Sequence, residues 1–426
     1  MTASPFLAHP DRAAALAEVH ARPFHPITPP CRALLFAFMT DAAQSQADRA
    51  AFADFCRRQG AAEPGPGAKH HRVQIGAATI RWEQHAEFTT YSWELGDSPT
   101  EPFAPLPGGR CAPMTQLPQP GPHLVSIDFH ILPTRPELKA EDYFDPAFMA
   151  MSSVYREAAL VATDFKADEE GFVRILVLDS GLRPARSGSL MQRLLEIETY
   201  RMLALLGLPE ASRTGPEVKA IEDALVRIGR EMTEAGDKST DTELLHELTE
   251  LAAKLEAESA LSGYRFGASR AYHTIVQQRL ANIGEVTISG YPTLEAFMAR
   301  RVAPAMRTCQ MLEERQANLS RKLTRAANLL RTRVDVEIER QNRDLLTSMN
   351  RRARLQLRLQ QTVEGLSVAA VSYYIVGLAS YLLKGVKDAG YLPIEVGVAT
   401  ALVVPLALLA VGFVVSRVRS RHAKED

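Results

Sequence analysis

Two stretches decide how the chain is read: GLSVAAVSYYIVGLASYLL, residues 365–383, and VGVATALVVPLALLAVGFVV, residues 396–415. Neither contains Asp, Glu, Lys or Arg. Each is about twenty residues long, the length at which a helix crosses ~30 Å of hydrocarbon. The intervening KGVKDAGYLPIE, residues 384–395, carries the turn residues Gly385, Gly390 and Pro393 together with Lys384, Lys387, Asp388 and Glu395. The pattern predicts a transmembrane helical hairpin. A buried helical pair would keep a polar stripe along each helix, and the second stretch has none on any face. Gly365/Ala369 and Gly397/Ala401 are small pairs at the spacing that lets two membrane helices approach closely.

The flanking cations orient the hairpin. Arg351, Arg352, Arg354 and Arg358 precede the first stretch, and Arg417, Arg419, Arg421 and Lys424 follow the second. Lys and Arg are retained on the cytoplasmic side, so both termini are expected inside and the loop outside, with the membrane crossed twice. Successive helical residues are about 100° apart, so the four preceding arginines ring the helix below the headgroups. Glu364 sits at the entry of the first span, where an ion pair with Arg358 is expected. The first twenty residues hold no basic region followed by an apolar run, so no signal peptide is expected.

The 426 residues carry a formal net charge of only −1, which hides a strong asymmetry. Residues 300–358 hold fifteen Lys and Arg against six Asp and Glu, and the first 299 residues are correspondingly acidic. A basic stretch beside a membrane segment points to anionic headgroups as its partner rather than to nucleic acid. Cys31, Cys56, Cys111 and Cys309 are scattered with no CxxC spacing, which suits free thiols in a reducing compartment and offers no zinc framework.

The amino half changes period along its length. CRALLFAFMT, residues 31–40, predicts a buried strand after a Pro-rich strap, and residues 47–58 a helix. HRVQI, ATIRWEQ and EFTTYSWEL alternate as an antiparallel meander turning first at Gly76. Residues 96–122, dense in Pro and Gly, predict a loop without a core of its own. Residues 123–132 predict another strand, and 159–181 a hairpin with DEEG at its tip. From 188 to 206 the period becomes helical and stops at Gly207 and Pro209. Helices are expected over 216–235, 241–259 and 264–283, with VTIS at 286–289 the one further strand. A last helix, capped by Thr293, continues past Pro304 toward the membrane. In it Leu319, Leu323, Ala326, Leu330, Val334, Ile338, Gln341, Leu345 and Met349 alternate in steps of four and three, a heptad-like seam.

The predicted fold class is therefore an α+β cytoplasmic domain, followed by an α-helical region with a long stalk helix and a C-terminal two-helix transmembrane hairpin. Its divisions fall at 1–210 (the α+β domain), 211–292 (helical region), 293–363 (stalk), 364–416 (hairpin) and 417–426 (basic tail).

Chemistry-bearing patterns are sparse. In EVHARPFH, Glu18, His20 and Arg22, with His25, offer an acid/base pair beside an anion-binding arginine. The alternative is a helix C-terminus whose cations meet its last carbonyls. His70, His71, His85 and Glu87 are metal-ligand types, but adjacent strand residues point to opposite faces, so no metal site is expected. Asp164 in the TDF turn reads as a turn cap. GxSxG, P-loop and GxGxxG motifs are absent, and no cofactor is expected.

EVHARPF, the VATDF…GFVRILV hairpin, and LLRTRVDVEIERQN…LLTSMNRRARLQLRLQQTVEGLSVAAVSYY resemble a bacterial family of predicted membrane-anchored proteins of unknown function. The resemblance covers nearly the whole chain and implies location and topology, with no catalytic residues to carry over. The overall plan is also similar to CorA-type magnesium channels. Their Gly-Met-Asn signature after the first span is replaced here by YLLKGVKDAGY, which argues against that ion selectivity. The expected function is a membrane-anchored scaffold or binding protein, self-associating through stalk and hairpin and presenting its domain to a cytoplasmic partner. An ion channel or transporter is the alternative, and a membrane-tethered enzyme the third reading.

Overall fold

The computed structural model describes residues 9–10, 12, 16, 24–96, 101–234, 238–389 and 394–422. Contacts divide the chain into two units, residues 1–234 with 244–327, and residues 235–243 with 328–426.

The first unit is built on one nine-stranded sheet, β1 (Cys31–Met39), β2 (His70–Ile75), β3 (Ala78–Gln84), β4 (Phe88–Leu95), β5 (His123–Pro133), β6 (Ala150–Val154), β7 (Ala159–Thr163), β8 (Phe172–Asp179) and β9 (Val286–Thr287). Its strand order is β2-β3-β4-β1-β5-β8-β7-β6-β9. Every pairing is antiparallel except β5 with β8, which is parallel. The expected meander is β2-β3-β4, and the expected hairpin is β7-β8. AMSSV in β6 gave no strand signal, because its two serines break any alternation. It is held from both edges by β7 and β9.

The helices are α1 (Ala42–Arg58), α2 (Pro184–Leu205), α3 (Gly207–Glu234), α4 (Lys238–Ile283), α5 (Leu294–Arg301), α6 (Ala303–Asp388) and α7 (Val396–His422). α1 starts five residues earlier than the periodicity suggested, because Asp41 and Gln44 form a reciprocal capping box. Gly207 and Pro209 end α2, yet α3 begins at once, since prolines are tolerated in a first helical turn that needs no donors. The two helices expected over 241–259 and 264–283 are one. α4 runs through Gly263, whose cost of about 1 kcal/mol is offset by the buried Leu255 and Phe266 on either side.

Odd-numbered residues of the central strands pack under α2. Ala33, Leu35, Ile127, Phe129, Ile175 and Val177 meet Leu190, Leu194, Val276 and Phe297 in the largest core. On the opposite face, Leu34, Phe36, Ile80, Trp82 and Trp93 pack with Phe52 and Phe55 of α1. Further along that second face, Leu132, Leu176 and Leu178 pack on Phe144 and Met149. The Pro-rich strap crosses α2 where Gly188 leaves room. A Cβ at Gly188 would lie 1.7 Å from the His25 carbonyl oxygen, and Ile27 N donates to Pro184 O at 2.9 Å.

α3, α4 and the first turns of α6 bury Val218, Ile221, Leu248, Leu255, Leu312, Leu319 and Leu323. Lys254–Glu217 at 2.6 Å and Arg213–Glu258 at 3.1 Å link these helices across their rims. Thr293 caps α5 by accepting from Ala296 N at 3.0 Å.

In the second unit α6 runs on unbroken to Asp388, so stalk and first apolar stretch are one helix. Leu330 is buried, whereas Ile338, Leu345 and Met349, further along the seam, are exposed. α7 carries no charged residue from Val396 to Val415 and ends in a basic turn. Both helices are long and apolar enough to cross a membrane. They touch through small side chains. Ser380 Oγ donates to Thr400 Oγ1 at 3.3 Å, and Ser372, Ala407 and Val411 are buried.

The α1 face depends on one buried carboxylate. Asp48 accepts from Trp82 Nε1 at 2.8 Å and from the Tyr91 hydroxyl at 2.6 Å. Asp48→Ala leaves two buried donors unpaired, and we expect it to lose about 3 kcal/mol of stability. Asp48→Asn, which keeps an acceptor, should lose less. Urea unfolding followed by fluorescence of Trp82 and Trp93, the only two tryptophans, measures both.

Candidate functional site

Between the two apolar clusters on the α1 face lies a group of charges inside the sheet. Side chains alternate along a strand, so Arg32 of β1 and Asp128 and His130 of β5 share this face. Arg174 of β8 joins them, since it registers with Asp128. Arg32, Asp128 and His130 are fully buried. Arg32 grips Asp128 with two bonds, Nε to Oδ1 at 2.9 Å and Nη2 to Oδ2 at 2.7 Å. Its Nη1 donates to the Ala104 carbonyl at 2.6 Å.

The segment between β4 and β5, expected to lack a core, is the lid on this centre. Phe103 sits edge-on to the His130 ring at 4.8 Å and takes a left-handed φ of 58°. Arg174 stacks over Phe103 and Phe144 at 5.4 and 5.6 Å. Arg110 reaches Asp168 at 2.7 Å, Glu170 at 3.1 Å and Asp128 at 3.5 Å. That ties the lid to the β7–β8 hairpin tip.

The protonation states follow from burial and pairing. Burial pushes the Asp128 carboxyl up, but hydrogen bonds from His130 and Arg32 outweigh it and hold it below the ordinary value. Burial pushes His130 down, against the pull of Asp128, so the ring is neutral at pH 7. Its Nε2 lies 3.3 Å from Asp128 Oδ1 and 3.3 Å from Phe103 N. The bond to the carboxylate is charge-assisted and the stronger, so Nε2 carries the proton. Nδ1 is then a buried acceptor with no partner among the described residues. The centre stores charge, but it is closed to solutes.

An open cleft of about 480 Å³ adjoins it on the same face, floored by Phe36, Phe38 and Ser126 and rimmed by Cys111, His123 and Glu170. His123 Nε2 is 2.8 Å from Ser126 Oγ. Cys111 is the one exposed thiol, and partial burial and Glu170 push its pKa up, which suppresses the nucleophilic thiolate. The cleft can hold a small ligand. It lacks a third group orienting His123 among the described residues.

The residues singled out from sequence fall elsewhere. Glu18, His20 and Arg22 lie outside the described residues. His71 Nε2 meets the Ala62 carbonyl at 2.8 Å, and Glu87 is held by Arg265 and Tyr264 of α4. Among the described residues no three His, Cys, Asp or Glu side chains gather as metal ligands. Arg351, Arg352, Arg354 and Arg358 are all exposed on α6. Glu364 pairs with Gln360 at 3.3 Å instead of the expected Arg358. Four residues return a helix to the same face, whereas six turn it about 240° away. Arg417 stacks on Phe413 at 6.0 Å, and Arg419 and Arg421 lie in the last turns of α7. The ionic centre was missed, yet it left a signal. CRALLFAF and SIDFHIL are apolar strands interrupted by an Arg, and by an acid and a His two residues apart.

Fold and site together define an α+β domain closed around a buried ionic centre, joined in one chain to a long helix and an apolar hairpin. The chain belongs to a family described only as protein of unknown function (DUF3422), whose pattern it matches over residues 7–422. No curated protein and no solved structure matches it.

Asp128→Ala strands Arg32 without a counter-ion, a change that costs about 3–5 kcal/mol in buried pairs. Urea unfolding should show that loss. His130 is depressed in the folded state, so the unfolded chain binds the extra proton first as pH falls below about 6.5. Stability should be full above that value and decline toward pH 5. His130→Asn should flatten the decline, as read by thermal unfolding of the solubilised protein at several pH values.

Proposed function

We propose that the protein is a membrane-anchored cytoplasmic module that binds a partner through its α+β domain. The observation that carries this reading is the pair of apolar helices whose largest side chains face outward. Tyr373 is 78 % exposed, Tyr381 80 % and Leu409 72 %. Exposed apolar surface on that scale is unfavourable in water and favourable in lipid. The hairpin sits in a bacterial inner membrane with both ends on the cytoplasmic side. The eight flanking cations, against two in the loop, support that orientation. Arg351, Arg352, Arg354 and Arg358 rest on anionic headgroups, each gaining roughly 1 kcal/mol near an anionic leaflet.

The protein self-associates through the stalk. The seam positions that remain exposed, Ile338, Leu345 and Met349, continue the heptad-like spacing and support a second copy as their cover.

Topology is tested by cysteine labelling from outside the cell. A cysteine replacing Ala389 should react with an impermeant reagent and one replacing Ala423 should not, and the opposite pattern would invert the hairpin. Self-association is tested by crosslinking in membranes. Leu345→Asp with Met349→Asp should abolish crosslinked oligomers, while crosslinking unchanged from the parent would remove the stalk as their interface.

A further inference from the structure

The α2 side of the first unit holds an open cavity of about 640 Å³ that neither the ionic centre nor the membrane reading uses. A second hollow of about 490 Å³ adjoins it and shares Phe148, Phe297 and Arg301. Volumes of this order accept a drug-sized ligand.

Three aromatic rings wall the cavity. Phe165 packs on Phe297 with ring centroids 5.1 Å apart, and Phe148 stands exposed at the mouth. Three cations are set among them. The Arg301 guanidinium lies 5.1 Å from the Phe297 ring and 5.3 Å from the Phe148 ring. Arg201 lies 5.6 Å from the Phe165 ring, and Lys166 lines the same wall. Arg201 is already bound by the buried Glu198 through Nε at 2.7 Å and Nη2 at 2.6 Å. Lys166 and Arg301 have no ion-pair partner among the described residues.

The placing of Phe165 is not accidental. Its φ is +53°, a left-handed conformation that disfavours a large side chain. Two side chains impose it: Phe165 N donates to Thr163 Oγ1 at 3.1 Å and Lys166 N donates to Asp164 Oδ1 at 3.1 Å. The turn thereby sends Phe165 into the cavity and Lys166 to its wall. Non-glycine strain of this kind clusters at ligand sites. A bland account exists for one part, since Arg300 and Arg301 occupy the last turn of α5, where a helix favours cations. It does not account for Lys166 on another element or for the rings.

We propose that this cavity binds a small soluble organic anion with a flat aromatic body, its ring among Phe148, Phe165 and Phe297 and its charged group on Arg301 and Lys166. The site is independent of the stalk interface and of the membrane topology.

The test is equilibrium dialysis of naphthalene-2-sulfonate against the full-length protein in lipid nanodiscs, with empty nanodiscs subtracted. Sulfate and uncharged 2-naphthylmethanol serve as the bodiless and chargeless controls. We expect saturable binding of one sulfonate per chain and at least tenfold weaker binding of either control. Arg301→Gln and Lys166→Gln should each weaken the sulfonate about tenfold, the usual worth of a charge-assisted hydrogen bond. Both side chains are exposed, so the fold should survive, as unfolding curves on each variant check. Arg270→Gln, outside the cavity, should bind as the parent does. Absence of saturable binding, equal binding of the uncharged analogue, or unchanged binding in the Arg301→Gln/Lys166→Gln double variant would overturn the proposal.

Discussion

The two-bond contact between Arg32 and Asp128 is the constraint on which the first unit depends. Both groups are removed from water, a change costing several kcal/mol per ion that only close geometry and further hydrogen bonds repay. Those further bonds go to different parts of the chain. Arg32 also holds the lid at Ala104, and Asp128 also meets His130 and Arg110. One carboxylate thus joins β1, β5, the lid and, through Arg110, the β7–β8 tip. Its effect is on specificity more than on net stability. A one-residue slip of β1 against β5 would turn Arg32 into the apolar core under α2. The slip would also part Arg32 from Asp128, leaving both charges buried without the pairing that offsets their desolvation.

The helices obey a different balance. The ion pairs along α3 and α4, such as Lys219–Asp223 at 3.2 Å, are exposed and each contributes little. Burial of Val218, Leu248, Leu255, Leu312 and Leu319 supplies most of the stabilisation, at about 25 cal/mol per Å² of apolar surface. The same helical spacing continues along α6 after this cover ends. In the second unit its apolar residues face outward. Exposed apolar surface is unfavourable in water, and the lipid and second copy proposed above are the complements that cover it.

How much of this was legible in the sequence depended on whether the signal was local. The alternation in RVQI and TIRWE, the Thr293 cap and the charge-free stretches each act within a few residues, and the corresponding elements formed. β6 failed that test because AMSSV is a strand only through its neighbours. The break expected between residues 259 and 264 weighs local propensity alone, whereas the stop at Gly207 does end α2. At Gly207 the glycine is needed for packing, since a Cβ would lie 2.7 Å from Ser269 Oγ and 3.0 Å from Cys309 Sγ. The ionic centre joins residues 96 apart in sequence, and no window of residues could pair Arg32 with Asp128. The cavity was half legible. The TDF turn was read as a cap, which it is, but its consequence for Phe165 required α2 and α5 to be in place.

That turn shows how local chemistry and a long-range site are coupled. A left-handed Phe165 costs roughly 1–3 kcal/mol, and a right-handed or extended residue there would relax it. Two short side chains prevent that, and each is fixed from outside the turn. Thr163 Oγ1 donates to the Arg174 carbonyl on β8 at 2.8 Å while it accepts from Phe165 N. Asp164 is buried, which favours keeping its carboxylate on the Lys166 amide. The β8 backbone that carries Arg174 to the lid on one face therefore fixes, through the Thr163 hydroxyl, the ring that walls the cavity on the other. Changes in the ionic centre that shift β8 reach the cavity by this route, with no direct contact between the two sites required.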